Sequence, residues 1–166
     1  MLVDVYRGVF YSQIPPPNRR PLGAHPFIAF PIRIGSNYGM SVAVTNGIRV
    51  EVESFYISER SDPDRDFWFF AYQVQIANEG SAPVRLVARH WVITDGNGGV
   101  KEVKGEGVVG SQPLLMPGES FAYQSACPLS TSVGSMHGSY QILGENGESF
   151  DATIAPFTLA TPFSLN

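Results

Sequence analysis

The chain has 166 residues, a formal net charge of −4 and only 16% charged residues. Its 17 glycines and 13 prolines make up about 18% of the sequence, against an average of about 12%, which argues against helical bundles and coiled coils. The 12% aromatic content argues against disorder, and the net negative charge provides no basic field for nucleic acid or an anionic membrane.

Residues 1–41 differ from the rest of the chain because prolines interrupt them repeatedly between positions 15 and 31. Each proline removes a backbone N–H and favours extended geometry in the preceding residue, so a regular helix cannot form there. The apolar side chains between Phe27 and Ile34 are too numerous for a free linker. We predict an extension, 1–41, that packs on a domain of residues 42–166. The alternative is the trailing end of an upstream module in a longer protein.

From residue 42 onward the pattern is that of short strands and turns. Ile48, Val50 and Val52 alternate with charged residues, as in a half-buried strand. Glycine-rich and Asn-Gly turns separate similar segments. The predicted strands cover residues 48–56, 67–77, 84–94, 100–109, 120–125, 139–143 and 149–154. About seven strands at this spacing predict an all-β, antiparallel β-sandwich of the immunoglobulin class, and the missing Cys…Trp…Cys pattern favours its fibronectin-III-like form.

Gly105, Gly107 and Gly110 form a Gly-x-Gly-x-x-Gly sequence, the spacing of a dinucleotide-binding loop. That mechanism needs a helix after the loop, whereas Val108 and Val109 favour a strand. A dinucleotide-binding fold is therefore rejected. A glycine-rich loop can still direct backbone N–H groups at an anion, so phosphate or pyrophosphate binding stays open. The competing interpretation is purely structural, with glycines that permit a bulge, a bend or a close strand approach.

Alternation along the strand that begins at Val84 predicts that His90 faces the core, while Arg89 and Trp91 share the outer face. There the two side chains could stack and leave the guanidinium free for a carboxylate or phosphate. The same argument turns Phe67 and Phe69 outward, beside an acidic loop. We therefore predict a protein interface that includes Phe67, Phe69 and Trp91, and a candidate ligand site of Arg89 with the three loop glycines.

No arrangement of catalytic or metal-binding residues is recognisable. The acidic run that begins at Asp62 has Phe67 and Gln73 where a calcium loop needs glycine and glutamate. The histidines and Cys127 are too scattered for a zinc or cobalt site. Cys127 has no evident base beside it and is expected to be a small buried residue. We expect no enzyme activity, no cofactor and no metal.

A lone cysteine allows no intrachain disulfide, which fits a reducing compartment. The sequence has no apolar run long enough to span a membrane, and its N-terminus lacks the features of a secretory signal. We predict a cytoplasmic protein, or a nucleocytoplasmic one in a eukaryote. Other proteins are the expected partners, with no nucleic acid and no membrane, and a homodimer is an open alternative.

An ordered set of motifs between residues 42 and 162 resembles the ApaG family. The central elements are residues 89–96, RHWVITDG, followed by residues 105–113, GEGVVGSQP. Further elements occur in the family's order. They are residues 44–50, 70–72, 117–123 (PGESFAY), 134–140 (GSMHGSY) and 156–159 (PFTL). Any single element is weakly specific, whereas the ordered set is highly specific.

The resemblance implies a fibronectin-III-like sandwich, in agreement with the strand pattern. Family members are stand-alone bacterial proteins associated with cobalt and magnesium efflux, or C-terminal domains of eukaryotic F-box proteins and of a DNA-polymerase-delta-interacting protein. In the eukaryotic setting the domain is regarded as a protein-interaction module. The resemblance therefore implies a non-catalytic adaptor or substrate-recognition module, and a role in divalent-cation homeostasis is a further alternative.

Overall fold

The computed structural model describes residues 39–162 and residue 164. Residues 1–38 of the predicted extension lie outside the described residues, so its packing on the domain stays a prediction. The first described strand begins at Gly39, three residues before the expected domain boundary. No helix in the described part of the chain is long and apolar enough to cross a membrane.

The described residues form nine strands. These are β1 (Gly39–Thr45), β2 (Ile48–Tyr56), β3 (Trp68–Asn78), β4 (Val84–Asp95), β5 (Val100–Glu106), β6 (Leu114–Leu115), β7 (Ser120–Leu129), β8 (Val133–Gly144) and β9 (Ser149–Ala160). One sheet has the order β1-β2-β3-β7, and the other has the order β5-β4-β8-β9, with β6 paired to β4. All pairings are antiparallel, so the predicted antiparallel β-sandwich is confirmed.

The sandwich holds together because alternating side chains of both sheets meet between them. Val52 and Val74 in the first sheet, and Leu86 and Ile142 in the second, have no exposed surface. Burial of each such side chain stabilises the fold by about 1.5–3 kcal/mol. The alternation seen in the sequence therefore corresponds to the inner faces of the two sheets.

The two sides of the sandwich differ. On one side β1 lies against β9, where the Thr153 N–H donates to Thr45 Oγ1 at 3.1 Å and Ser54 Oγ donates to the Thr158 carbonyl at 2.7 Å. On the other side the edge strands β7 and β5 come into little close contact with each other within the described residues. The interior is thus closed at β1 and β9 and more accessible between β5 and β7.

Candidate functional site

An irregularity in β4 decides which residues face the interior. Leu86 pairs with Ile142 and Ala88 with the adjacent Gln141, so Val87 is an extra residue in β4. One extra residue shifts the alternation by one position, which exchanges the two faces beyond it. The prediction that His90 faces the core, and Arg89 and Trp91 the surface, was therefore wrong, because the sequence pattern does not reveal the bulge.

Trp91 is a core residue and is only 3% exposed. Its ring makes edge-to-face contacts with Tyr72, Tyr140 and Phe157, at centroid distances of 5.4, 6.1 and 6.0 Å. Aromatic pairs in this arrangement add about 0.5–1.5 kcal/mol beyond the burial of their surface. Trp91 therefore stabilises the centre of the sandwich and is not available to a protein partner.

His90 lies on the outer face of the second sheet. Its Nε2 atom is 2.8 Å from Glu102 Oε2 on the neighbouring strand β5. Glu102 also lies 3.8 Å from the Lys104 ammonium. The His90 ring is therefore held in a partly exposed charge cluster away from the interior.

Phe69 was also expected on the surface, and this prediction was wrong. Its side chain is 3% exposed, and the Arg60 guanidinium carbon lies 4.2 Å from the ring centroid. Ser61 Oγ accepts a hydrogen bond from the Phe69 N–H at 2.9 Å. The loop before β3 therefore folds back over the outer face of that strand. Phe67 is half-buried, with its ring centroid 6.4 Å from that of Phe69, and its role in an interface stays a prediction.

The three motif glycines lie at the end of β5 and in the tight turn that follows it. Val109 and Gly110 have φ angles of 52° and 71°, as in a type I′ turn, and Val108 and Ser111 exchange two backbone hydrogen bonds around them. The Gly107 N–H donates to the Val87 carbonyl at 2.8 Å. Most N–H groups of the loop are thus used within the protein, which favours a structural role for the glycines.

Arg89 and the loop are in direct contact. Arg89 Nη1 donates to the carbonyls of Glu106 at 3.0 Å and Gly107 at 2.8 Å. A Cβ on Gly105 would lie 3.0 Å from the guanidinium, so glycine there allows Arg89 to lie close against β5. Gly110 is at the exposed tip of the turn, with nothing within 4 Å of its Cβ position. The structure therefore brings together Arg89, Gly105 and Gly107, while Gly110 lies apart.

A cavity of about 80 Å³ lies beside Arg89, between the two sheets. Tyr72, Trp91, Val108, Tyr123, Cys127 and Met136 line its buried floor. Its mouth is surrounded by half-buried residues: Arg89, Ile93, Val103, Val109, Ser125 and Ala126. The mouth opens on the side of the sandwich where β5 and β7 have unpaired edges.

The ionisable groups of the cavity floor are neutral at physiological pH. Burial raises the pKa of Tyr72 and of Tyr123, and the nearby Arg89 charge partly opposes this. The Tyr123 hydroxyl is hydrogen-bonded to that of Tyr140 behind the floor. Burial likewise raises the pKa of the Cys127 thiol to about 12. Arg89 is therefore the charged group that borders this cavity.

Candidate metal ligands in the described part of the chain do not cluster. No group of three or more His, Cys, Asp or Glu side chains within residues 39–162 and 164 is arranged to hold a metal ion. Asp62, the first residue of the acidic run, pairs instead with Arg65, with Nε and Oδ2 2.5 Å apart.

Sequence reasoning missed the cavity because its residues come from five strands and the loop after β5. Tyr72 on β3, Tyr123 on β7 and Met136 on β8 are far apart in the chain and meet only in the folded sandwich. The available signal was that Tyr123 and Tyr140 belong to recognised motifs. Nothing local to either motif shows that the two hydroxyls pair.

Comparison with known proteins agrees with this architecture. The family model of the ApaG domain matches residues 58–144. Protein ApaG of Anaeromyxobacter dehalogenans strain 2CP-C is 54% identical over 127 residues, which are 76% of this chain and 100% of that protein. Protein ApaG of Dechloromonas aromatica is 52% identical over 124 residues, 74% of this chain and 98% of that protein.

A solved structure gives the same result. The crystal structure of a Bordetella pertussis protein described as ApaA has a TM-score of 0.69 and 51% identity, and the match covers 70% of this chain and 95% of that one. The residues matched by the family model contain the glycine loop and the cavity-lining residues described above. From its sequence, its two-sheet fold and these matches, the chain belongs to the ApaG family.

Proposed function

We propose that the domain is a non-catalytic protein-interaction module that binds a partner protein through the outer face of β1. The observation that carries the proposal is a row of apolar side chains on that face. Met40, Val42 and Val44 are 61%, 38% and 55% exposed. Large apolar side chains exposed together are typical of a protein-binding surface.

The row has an inverted pattern for a sandwich strand. The large apolar side chains of β1 point outward. The residues that alternate with them and point inward are small or polar, namely Ser41, Ala43 and Thr45. The neighbouring positions on β2 are Glu53, Glu51 and Arg49, paired in register with the three apolar residues. An apolar strip bordered by charged side chains has the composition of an interface centre with a polar rim.

The interface proposed from the structure differs in its residues from the one predicted from the sequence. Among the described residues, the exposed large hydrophobic side chains are aliphatic or Met, with no Phe, Tyr or Trp. The sequence predicted an interface that includes the aromatic residues Phe67, Phe69 and Trp91. The aromatic side chains are instead mostly used inside the sandwich, and the apolar strip is formed by β1.

The non-catalytic part of the proposal is supported by the state of the potential nucleophile. The Cys127 thiol is 5% exposed, and its raised pKa keeps it protonated at neutral pH. A thiol must be deprotonated and accessible to act as a nucleophile. His90 is engaged with Glu102 on the outer face of the second sheet, away from Cys127.

The test compares two matched surface variants of the full chain. Met40→Ser, Val42→Thr and Val44→Thr together remove the β1 row while keeping strand-compatible side chains. The control is Leu114→Thr with Leu143→Thr, which removes two exposed apolar residues from the outer face of the other sheet. Both proteins should unfold at temperatures close to that of the wild type, because exposed substitutions change stability little.

Partners from cells that naturally contain the protein are captured on each form, identified, purified and titrated by calorimetry. We expect one saturable partner that binds the wild type and the control equally and the β1 variant at least about tenfold more weakly, in line with the loss of two or more interface contacts. Equal affinity of the β1 variant for that partner, or the absence of any saturable partner, would contradict the proposal. Self-association through β1 would appear as a dimer in analytical ultracentrifugation, and the partner would then be a second copy of this chain.

A further inference from the structure

The cavity between the sheets combines one cation with an apolar floor. We propose that it binds a small organic carboxylate with a short branched apolar body, whose carboxylate group is held by Arg89. This site is separate from the β1 face, because β1 and β7 are opposite edges of the first sheet. The two proposals therefore fail independently.

The first argument is the unfulfilled bonding capacity of Arg89. Its hydrogen bonds to described residues come from Nη1 and end on the carbonyls of Glu106 and Gly107. No carboxylate of a described residue lies within 4.0 Å of its guanidinium. A partly buried charge is costly unless it is paired with a counter-charge.

The second argument is which N–H groups of the Arg89 guanidinium make no hydrogen bond to a described residue, namely those of Nε and Nη2. With Nη1 occupied by the two carbonyls, Nε and Nη2 keep the edge of the guanidinium that binds a carboxylate with two parallel hydrogen bonds. Gly105 supports this placement, since a Cβ there would come within 3.0 Å of Nη1, Nη2 and the central carbon. The glycine therefore positions Arg89 at the cavity mouth.

The third argument is the chemistry of the lining. Ile93, Val103, Val108 and Met136 provide aliphatic surface, and Trp91 provides an aromatic edge. The tyrosine and cysteine side chains of the floor are neutral, because burial raises their pKa. A single positive charge beside an apolar floor matches a monoanion with an apolar body better than a free phosphate or pyrophosphate.

The size of the cavity limits the ligand. One water molecule needs about 10–15 Å³ of such volume, so 80 Å³ accommodates roughly five to eight water-sized groups. A branched carboxylate of about seven heavy atoms fits this limit, and its dissociation constant is expected to be of the order of 1 mM. Such a ligand enters between β5 and β7 with its apolar end first.

Strain at the rim is consistent with this assignment. Val109 has a φ of 52°, which a β-branched residue rarely adopts, and its side chain lines the cavity mouth. Residues held in such conformations are found disproportionately at ligand-binding positions. A glycine or asparagine would form the same turn with less strain but would remove this apolar wall.

The test is a titration of the full chain, followed by amide chemical shifts, at constant pH and ionic strength. The probes are 3-methylbutanoate, its uncharged amide 3-methylbutanamide, and inorganic pyrophosphate. We expect 3-methylbutanoate to produce saturable shifts at Val103, Val108 and Cys127. The amide should bind at least about tenfold more weakly, because a hydrogen-bonded charge pair is lost.

Two variants locate the charge that is responsible. Arg89→Met should weaken 3-methylbutanoate binding at least about tenfold. Arg85→Met is the matched control, because Arg85 is also on β4 and donates to the Gln112 carbonyl outside the cavity. The control should bind like the wild type. The comparison of acid and amide needs no variant, so it decides the question even when Arg89→Met does not fold.

Three results would overturn the proposal. The first is equal binding of 3-methylbutanoate and its amide, which would show an apolar cavity without an anion site. The second is the absence of saturable shifts in the cavity at any concentration of the carboxylate. The third is binding of 3-methylbutanoate that shifts Val109 and Gly110 alone, as pyrophosphate on the exposed turn would, which would place the carboxylate on the loop surface and not in the cavity.

Discussion

Replacement of Trp91 by alanine tests the assignment of the β4 faces. The bulge at Val87 places Trp91 in the interior, where it is 3% exposed and contacts three aromatic rings. Without the bulge the same side chain would lie outside. The two arrangements predict very different losses of stability on truncation.

The expected magnitude follows from burial and ring contacts. Replacement of a buried tryptophan by alanine costs about 3–5 kcal/mol, because surface burial is lost and a cavity remains. The truncation would join the existing 80 Å³ cavity, so the structure cannot close around it. Trp91→Phe keeps one of the two rings and should cost less, about 1–2 kcal/mol.

The assay is equilibrium unfolding in urea, followed by far-ultraviolet circular dichroism. With a slope of about 2 kcal/mol per molar urea, a loss of 4 kcal/mol lowers the midpoint by about 2 M. His90→Ala is the control, since the adjacent side chain lies on the outer face and its loss should cost under about 1 kcal/mol. If Trp91→Ala lowers the midpoint no more than His90→Ala does, the inferred exchange of faces at the bulge is incorrect.

Two further predictions concern a close strand contact and a buried thiol. A Cβ on Gly138 would lie 1.9 Å from the His90 carbonyl oxygen on the neighbouring strand, so Gly138→Ala should cost at least about 3 kcal/mol or prevent folding. Gly110 has open space around it, so Gly110→Ala should cost only about 1 kcal/mol, because of the positive φ at that position. Similar urea midpoints for the two variants would contradict this. The pKa of Cys127 is raised from 9.0 to about 12 in the folded state, so its contribution to stability is complete below pH 9 and is lost as the pH rises toward 12. Between pH 8 and pH 10.5 the free energy of unfolding should therefore fall more for the wild type than for Cys127→Ala, and equal falls would refute the assigned burial effect.

Much of the fold could be predicted from alternation and turn residues. The segments containing Val50 and Val74 have a regular period of two and form β2 and β3 as expected. The strand β7 continues past its predicted end through Cys127 and Pro128, which an edge strand tolerates because one side of it makes no ladder hydrogen bonds. Two strands, β1 and β6, were not predicted, so the described residues form nine strands and not about seven.

The errors have local physical causes. In β1 the large side chains, such as Val42, point outward and the small ones inward, so the pattern does not resemble a typical strand of a sandwich. In β4 the extra residue Val87 exchanges the faces without a glycine or proline to mark it. Phe69 is covered by the loop that contains Arg60, a contact that depends on the folded loop and not on strand alternation.

The candidate site was predictable only in part. The contact of Arg89 with Gly105 and Gly107 follows from the pairing of β4 with β5, which the hairpin between them makes nearly obligatory. The cavity requires β3 and β7 of the other sheet to pack opposite this hairpin, and β8 to pair beside β4. Such contacts between distant segments are set by the three-dimensional packing of the two sheets, which local sequence patterns do not encode.

The central claim is that the outer face of β1 binds a partner protein. The most direct measurement places the photo-crosslinking residue p-benzoylphenylalanine at position 42, or at position 143 as a control, in the full chain within cells that naturally contain it. Both native residues, Val42 and Leu143, are exposed to similar extents, 38% and 37%, on opposite sheets. The account predicts a discrete crosslinked product from position 42 and none from position 143. Equal crosslinking at both positions, or none at position 42, would contradict it.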